Sequence, residues 1–246
     1  MSISLEKAFV LAAGLGTRMR PLTDRLPKPL VTLAGRSLLD HALDRLAATG
    51  ITEAVVNVHY LADLIEAHLR QRHQPRIVIS DERDALLETG GGVAKVLPLL
   101  GTRPFLVHNS DSVWVEGATN NLGALAAAFD ESRMDGLLLL ADRETSLGYD
   151  GRGDFHLEAD GRLRRVAKGE TARFVFAGVS IATPRLMRDA PAGAFSLNQV
   201  WDRALAEQRL YGLALDGTWM HVGDPSALAA AEALLAKTAG ERERTS

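Results

Sequence analysis

Apolar residues recur along this chain in two alternating rhythms. Ala8-Phe9-Val10-Leu11-Ala12 is a short unbroken apolar run that ends in Ala13-Gly14-Leu15-Gly16, the pattern of a buried strand feeding a loop. Ser37 then precedes Leu38, Leu39, Ala42, Leu43 and Leu46, an apolar stripe at helical spacing with Ser37 as N-cap and Gly50 beyond the end. Residues 54–58 form a β-branched strand, Leu61, Leu64, Ile65, His68 and Leu69 mark the next helix, and residues 76–80 make the next strand. Residues 93–100 read as a helix whose end is set by Pro98, and residues 105–107 as a strand leading into Asn109-Ser110-Asp111. Residues 122–129 and 137–141 add a helix and a strand. Strands alternating with helices of this size predict an α/β fold, a mainly parallel sheet with helices on both faces.

After residue 141 the rhythm changes. Residues 153–158, the turn Asp160-Gly161 and residues 163–166 read as a β-hairpin, with Asp-Gly as the turn signal. A strand over 174–181, a helix over 197–208 and an Ala/Leu-rich helix over 227–237 follow, and the charged tail 240–246 is expected to be disordered. There is no internal repeat and no linker rich enough to separate independent units. The expectation is one domain over residues 1–239, divided near residue 141 into two halves.

Composition narrows the partners. The 246 residues are 46% hydrophobic, enough for a real core, and 28 basic against 31 acidic residues leave a net charge of −3. No strong field of either sign is available, which argues against nucleic acid or an anionic membrane as the main partner. Arg18, Arg20, Arg25 and Lys28 do cluster locally, and such a group suits a small polyanion. The chain has no cysteine, so disulfides, thiolate metal sites and cysteine nucleophiles are excluded. No apolar stretch approaches the length of a membrane span, and residues 1–7 lack a signal-peptide pattern, so the expected location is cytoplasmic.

The first candidate chemistry lies between Leu11 and Leu30. Glycines after a buried strand let the backbone come close to phosphates and offer N–H donors, although Gly14-x-Gly16 by itself is equally a plain strand-to-loop turn. A dinucleotide fingerprint fits poorly because Met19 holds the third glycine position, and no Gly-Lys-Ser/Thr follows to make a Walker loop. Arg18 and Lys28 shift the balance towards phosphate, since Pro27 and Pro29 hold Lys28 on a stiff segment. Asn109-Ser110-Asp111 sits at the carboxyl end of a strand, where open α/β sheets bind ligands, and a carboxylate there suits Mg²⁺ held against phosphate oxygens.

Leu11-Ala12-Ala13-Gly14-x-Gly16-Thr17-Arg18-x-x-Pro21-Leu22-Thr23, followed by Pro27-Lys28-Pro29-Leu30, resembles the signature of the sugar-1-phosphate nucleotidyltransferase family. The resemblance implies a Rossmann-like nucleotide-diphospho-sugar transferase fold, with a mixed, mainly parallel sheet and a small β-hairpin sugar-binding part. It implies that Leu11, Ala12, Ala13, Gly14, Gly16 and Thr17 grip a nucleoside triphosphate, that Arg18 meets its β- and γ-phosphates, and that Lys28 binds the phosphate region. Leu87-Glu88-Thr89-Gly90-Gly91-Gly92 resembles the family's base-recognition loop, which assigns Thr89 and Gly90 to the nucleotide; the plain alternative is a helix start capped by Thr89. Asp111 falls on the family's metal aspartate and, with Arg18 and Lys28, makes the expected catalytic set, with Mg²⁺ as cofactor.

The second half is similar to the family's sugar-phosphate side. Gly153-Asp154-Phe155, Phe176-Ala177-Gly178-Val179 and Phe195-Ser196-Leu197 together resemble the branch that transfers uridylyl groups from UTP to N-acetylmuramic acid 1-phosphate in cell-wall recycling. Asn109, Asp154, Gly178 and Asn198 are the expected sugar-side residues; Asp154 and Asn198 equally suit a turn and a helix cap. Lys168 or Arg173 could supply a balancing charge, although the flanks of Lys168 do not match the family's lysine motif and it reads first as an exposed hairpin-end lysine. One position departs. In Trp219-Met220-His221-Val222-Gly223-Asp224-Pro225, His221 stands where the family has an aspartate that helps hold the metal. Either Asp111 and the nucleotide suffice, or Asp224 compensates, or His221 positions a metal-bound water, or His221 packs structurally beside Trp219. The alternatives in substrate are mannose 1-phosphate with GTP or another hexose 1-phosphate. The alternatives in class are a nucleotide-sensing module without turnover and a dinucleotide-dependent oxidoreductase. The residues leave the oligomeric state open.

Overall fold

The computed structural model describes Ile3 and residues 5–245. In chain order the elements are β1 (Lys7–Leu11), the short hairpin β2 (Thr32–Leu33) and β3 (Arg36–Ser37), α1 (Leu38–Ala48), β4 (Glu53–Val58), α2 (Ala62–Leu69), β5 (Arg76–Asp81), α3 (Glu88–Leu100) and β6 (Phe105–Asn109). They continue with β7 (Ser112–Glu116), α4 (Asn121–Ala128), β8 (Gly136–Asp142), β9 (Phe155–Leu157), β10 (Leu163–Arg165), β11 (Phe174–Ala182), α5 (Leu197–Ala206), β12 (Leu210–Ala214), β13 (Gly217–His221) and α6 (Pro225–Thr245). Single-turn 3₁₀ segments occupy Thr17–Met19, Leu22–Asp24 and Lys28–Leu30.

The main sheet is mixed. β5, β4, β1 and β6 are parallel neighbours, with Phe9 beside Val55 on one side and Val107 on the other. β11 then runs antiparallel to β6 and continues along β8 and β9, so one long strand belongs to both halves of the sheet. The period of two in β1 divides the core. Ala8 and Val10 pack with Leu39, Leu43 and Leu46 of α1 and with Trp114 and Trp219, while Phe9 faces Val93 and Val96 of α3 and Trp201 of α5. Each such fully buried side chain contributes about 1.5–3 kcal/mol. A third cluster joins Met19, Val31, Leu33 and Leu38 to Val113, Met220, Val222 and Ala231, backed by Leu228, Leu234 and Leu235 of α6.

Several local readings need correction. α3 begins at Glu88, five residues before the apolar stripe, because its first two turns are built from Thr89 and three glycines that carry no periodic signal. Pro98 lies inside its last turn; the helix ends where Gly101 turns away at φ 88° and donates its N–H to the Leu97 carbonyl. The strands β7, β12 and β13 were not anticipated; β7 and β13 make a separate antiparallel pair, and β12 lies parallel to β8. The expected disordered tail is instead helical from Gly240 to Thr245, with Ser246 outside the described residues. Glu and Arg are good helix formers, and one glycine costs about 1 kcal/mol, too little to stop a long helix.

Candidate functional site

The carboxyl ends of β1 and β6 lie side by side, with Leu11 paired to Asn109 and the Ser110 N–H donating to the Leu11 carbonyl at 3.1 Å. Beyond β1 the chain doubles back. Gly16 adopts a left-handed conformation at φ 63°, and a Cβ there would stand 3.0 Å from the Cβ of Lys28 and 3.2 Å from Cγ2 of Thr23. The Thr23 hydroxyl donates to the Gly16 carbonyl at 2.7 Å and fastens the fold-back. Glycine is required at residue 16, and its absence of a side chain is what lets Lys28 come alongside the loop. Lys28 Nζ then reaches Asp111 Oδ2 at 2.5 Å across the strand ends.

A first cavity of about 420 Å³ opens over these ends. Leu11, Ala12, Ala13 and Gly14 line it together with Asn109, the paired Lys28 and Asp111, and Asn57, Leu86, Glu88 and Thr89. Nothing lies within 4 Å of where a Gly14 Cβ would be, so that glycine leaves its backbone open to whatever enters. The two long walls are tied together underneath by a buried pair. Asn57 Oδ1 accepts from the Ala12 N–H at 2.6 Å and the Ala13 N–H at 3.2 Å, and its Nδ2 donates to Glu82 Oε1 at 2.9 Å. Glu82 Oε2 in turn accepts from the Leu87 N–H at 3.2 Å. Asn57 and Glu82 are each 2% exposed, and the carboxylate has no cation against it in the bonds just described.

A second cavity of about 320 Å³ shares Asn109 and Asp111 with the first and is further lined by Arg18, Tyr149, Asp154, Phe176, Gly178, Trp219 and His221. Gly178 sits at φ 82° in a bulge of β11, and a Cβ there would come within 2.8 Å of the Ser112 Cβ. Asp154 Oδ2 accepts from the Phe176 N–H at 2.9 Å, and the Tyr149 hydroxyl accepts from the Gly153 N–H at 3.2 Å. Trp219 Nε1 donates to the Ser112 hydroxyl at 3.1 Å, and the Trp219 ring also meets Tyr149 and His221.

Charge at the junction is set by few groups. Burial alone would raise the Asp111 carboxyl, but the Lys28 ammonium, with a smaller pull from His221, holds it below the ordinary carboxylate range. Burial lowers the His221 imidazole; Lys28 and Arg18 push the same way, against Asp111 and Asp224. His221 is therefore neutral at pH 7. Asp224 caps α6: its Oδ1 accepts from the N–H groups of Ser226 and Ala227 and from the Ser226 hydroxyl, while its charge still acts on His221. That use commits one of its two carboxylate oxygens to the helix start.

Most of the expected residues converge. Leu11, Ala12, Ala13, Gly14, Lys28, Thr89, Asn109 and Asp111 line the first cavity, and Arg18, Asn109, Asp111, Asp154 and Gly178 the second. Gly16 and Thr17 shape the loop without lining either. Gly90 is buried and its N–H donates to the Phe195 carbonyl at 2.8 Å; a Cβ on it would strike the Phe195 ring. Gly90 and Gly91 thus admit the 193–195 segment against α3, while Gly92 leaves room for Glu82 and Asn57. Asn198 lies outside both cavities, on the first turn of α5, where it meets Ser196 and Arg165. Arg173 is held by Asp142 at 2.7 Å, and Lys168 is exposed on a turn. Sequence reasoning missed Asn57, Glu82 and Tyr149, and only the polar Asn57 within an otherwise apolar strand pattern was a signal; Ser196, read within a sugar-side motif, lines the first cavity.

Residues 7–149 match the family model described as Nucleotidyl transferase. A relative from Caulobacter vibrioides, named N-acetylmuramate alpha-1-phosphate uridylyltransferase, is 54% identical over 96% of this chain and 100% of its own length. A protein of the same name from Neisseria meningitidis serogroup B is 36% identical over 93% of this chain and 97% of that one. Among solved structures, UDP-glucose pyrophosphorylase complexed with UDP-glucose superposes with a TM-score of 0.75 at 15% identity, covering 96% of this chain and 100% of that one. At that identity the likeness speaks for the fold alone.

Proposed function

The chain belongs to the nucleotidyl transferase family, and from that premise we propose that it joins UTP to N-acetylmuramic acid 1-phosphate, forming the UDP-sugar and pyrophosphate. The observation that carries the reaction is the junction of two cavities at Asn109 and Asp111, with Lys28 on one side and Arg18 on the other. A nucleotide in the first cavity and a sugar phosphate in the second bring their phosphates together there. The substrates are taken from the two uridylyltransferase relatives.

In this reading a sugar phosphate oxygen attacks the α-phosphorus and pyrophosphate leaves. The nucleophile is already anionic at neutral pH, so no general base is needed, and the neutral His221 is not asked to be one. Lys28 and Arg18 neutralise the phosphates, and the glycine loop aligns them. Each such group contributes on the order of 2–4 kcal/mol to lowering the barrier. Among the described residues no cluster of three acidic or histidine side chains is arranged to hold a metal alone. One carboxylate beside open space at Gly14 still fits Mg²⁺, which takes one or two carboxylates and completes its shell with phosphate oxygens and water. Asp111 would hold it, and the ion would supply charge neutralisation to the phosphates. Residues 1–239 act as one domain in this reading, supported by β11, which bonds to β6 in one half and to β8 and β9 in the other. The absence of cysteine and of any membrane-length apolar helix among the described residues fits a cytoplasmic reaction.

The test is kcat/KM from pyrophosphate release, for N-acetylmuramic acid, N-acetylglucosamine, glucose and mannose 1-phosphates, each with UTP and GTP. UTP with N-acetylmuramic acid 1-phosphate is expected to lead by tenfold or more, since each polar pocket group left unpaired costs about 1–3 kcal/mol. If mannose 1-phosphate with GTP leads, the substrate assignment is wrong and the reaction class stands. If no pair releases pyrophosphate, a nucleotide-sensing role replaces it.

A further inference from the structure

Of the non-glycine residues at positive φ among the described residues, Ala34, Leu61, Glu88, Asp189 and Gln208, Glu88 alone lines either of the two site cavities. It stands at φ 58° as the first residue of α3, a conformation that side chains with a Cβ adopt reluctantly. Its side chain is exposed, and among the described residues no hydrogen bond or ion pair engages its carboxylate. The other site carboxylates differ: Asp111 is held by Lys28, Asp154 by the Phe176 N–H, and Glu82 by Asn57 and Leu87. A strained backbone that presents an ungripped acceptor to a cavity is a feature that the fold does not use for itself.

The position within the cavity says what it meets. Lys28 and Asp111 mark the phosphate end, where a second carboxylate would repel the ligand. Glu88 lines the same cavity between Leu87, whose N–H meets the Glu82 that Asn57 holds, and Thr89, and the nucleoside lies along this wall in the reading proposed above. A free carboxylate accepts hydrogen bonds and donates none, so its counterpart must be a donor. We propose that Glu88 is a specificity-determining residue that accepts a hydrogen bond from the nucleoside, through a ribose hydroxyl or the imide N–H of uracil. The inference rests on the nucleotide occupying the first cavity.

The experiment combines binding, kinetics and stability on the full chain. UTP affinity is measured by calorimetry with Mg²⁺ for the wild type, Glu88→Gln and Glu88→Gly, alongside thermal melting and the KM for each substrate. Glu88→Gly relieves the backbone and removes the acceptor, so its Tm should rise while UTP binds about tenfold more weakly. Its KM for UTP should rise with kcat at saturation and the KM for the sugar phosphate little changed. Glu88→Gln keeps a weaker acceptor and should lose only a few-fold. The donor is found with 2′-deoxy, 3′-deoxy and N3-methyl analogues of UTP: the analogue lacking it binds the wild type weakly and is indifferent to Glu88→Gly. Unchanged or tighter UTP binding by Glu88→Gly would overturn the proposal, as would a fall of its Tm together with its affinity, or equal sensitivity of every analogue. A wild type that binds no UTP would instead sink the function itself.

Discussion

Asn57→Asp tests whether the buried Asn57–Glu82 pair holds the two walls of the first cavity. The change replaces the Asn57 amide that donates to Glu82 at 2.9 Å with a second carboxylate oxygen. Two unit charges at that separation repel by about 5–6 kcal/mol at an effective dielectric near 20. Protonating one carboxyl at pH 7 costs about 4 kcal/mol and restores a hydrogen bond, so the variant takes that cheaper route. It should lose about 4 kcal/mol of stability at pH 7, a large part of an ordinary domain's 5–15. The shared proton is bound more tightly in the folded state than in the unfolded chain. The deficit is therefore small below the pH at which free carboxyls ionise and grows as pH rises, by about 1.4 kcal/mol per pH unit. At pH 5 it should be about 1 kcal/mol.

Glu82→Gln alone sets an amide donor against either the Asn57 amide or the Leu87 N–H and should cost about 1–3 kcal/mol with little dependence on pH. The double variant Asn57→Asp with Glu82→Gln reverses the direction of the side-chain bond and leaves every partner satisfied. Only one carboxylate then remains in the pair and nothing repels it, so the double variant should return to within about 1.5 kcal/mol of the wild type. Urea denaturation at pH 5, 6 and 7 reads all three. An Asn57→Asp protein with wild-type stability at pH 7, or a double variant no better than the worse single one, refutes the network.

Three further perturbations address the junction. Asp111→Asn should lower turnover by at least about 10²-fold with circular dichroism unchanged, and near-normal activity at ordinary magnesium would remove the metal assignment. His221→Asp places a carboxylate beside Asp111, Lys28 and Arg18, and the magnesium needed for half-maximal pyrophosphate release should fall several-fold; lost activity with unaltered magnesium dependence contradicts this. Gly91→Ala drives a Cβ to 2.3 Å from the Gly193 carbonyl, so it should cost about 1–3 kcal/mol in urea denaturation, and no loss would mean that the 193–195 segment yields freely.

The elements that sequence made readable are those whose signal is local. β1, α1 and β4 each carry an unbroken run or a clean stripe, and the Ser37 cap is read from its place before Leu38. The fold-back that brings Lys28 to the glycine loop was legible because glycine permits a left-handed turn and proline stiffens the backbone within that segment. β7 and β13 were not, since each is short and acquires its pairing from a partner a hundred residues away. Glu82 was invisible for the same reason: it meets Asn57 only because β4 and β5 pair with Val58 beside Asp81. The packing of Phe195 on Gly90 was not legible, because a glycine admits a neighbouring segment as readily as a ligand and residue names do not say which. Asn198, one residue beyond the start of α5, is an ordinary first-turn polar group.

The third apolar cluster ties the beginning of the chain to its last helix. Met19 and Val31, which bracket the fold-back between the glycine loop and Lys28, are packed by Met220, Val222 and Ala231, and the Ala34 N–H donates to Glu232 at 2.8 Å. Synthesis on the ribosome is vectorial, and early segments emerge while later ones are unmade. The glycine-loop segment is thus translated first and propped last. A nascent polypeptide carries the glycine loop and Lys28 without this backing until α6 has been made. Truncation before α6 should therefore remove the packing beneath the loop as well as a surface helix.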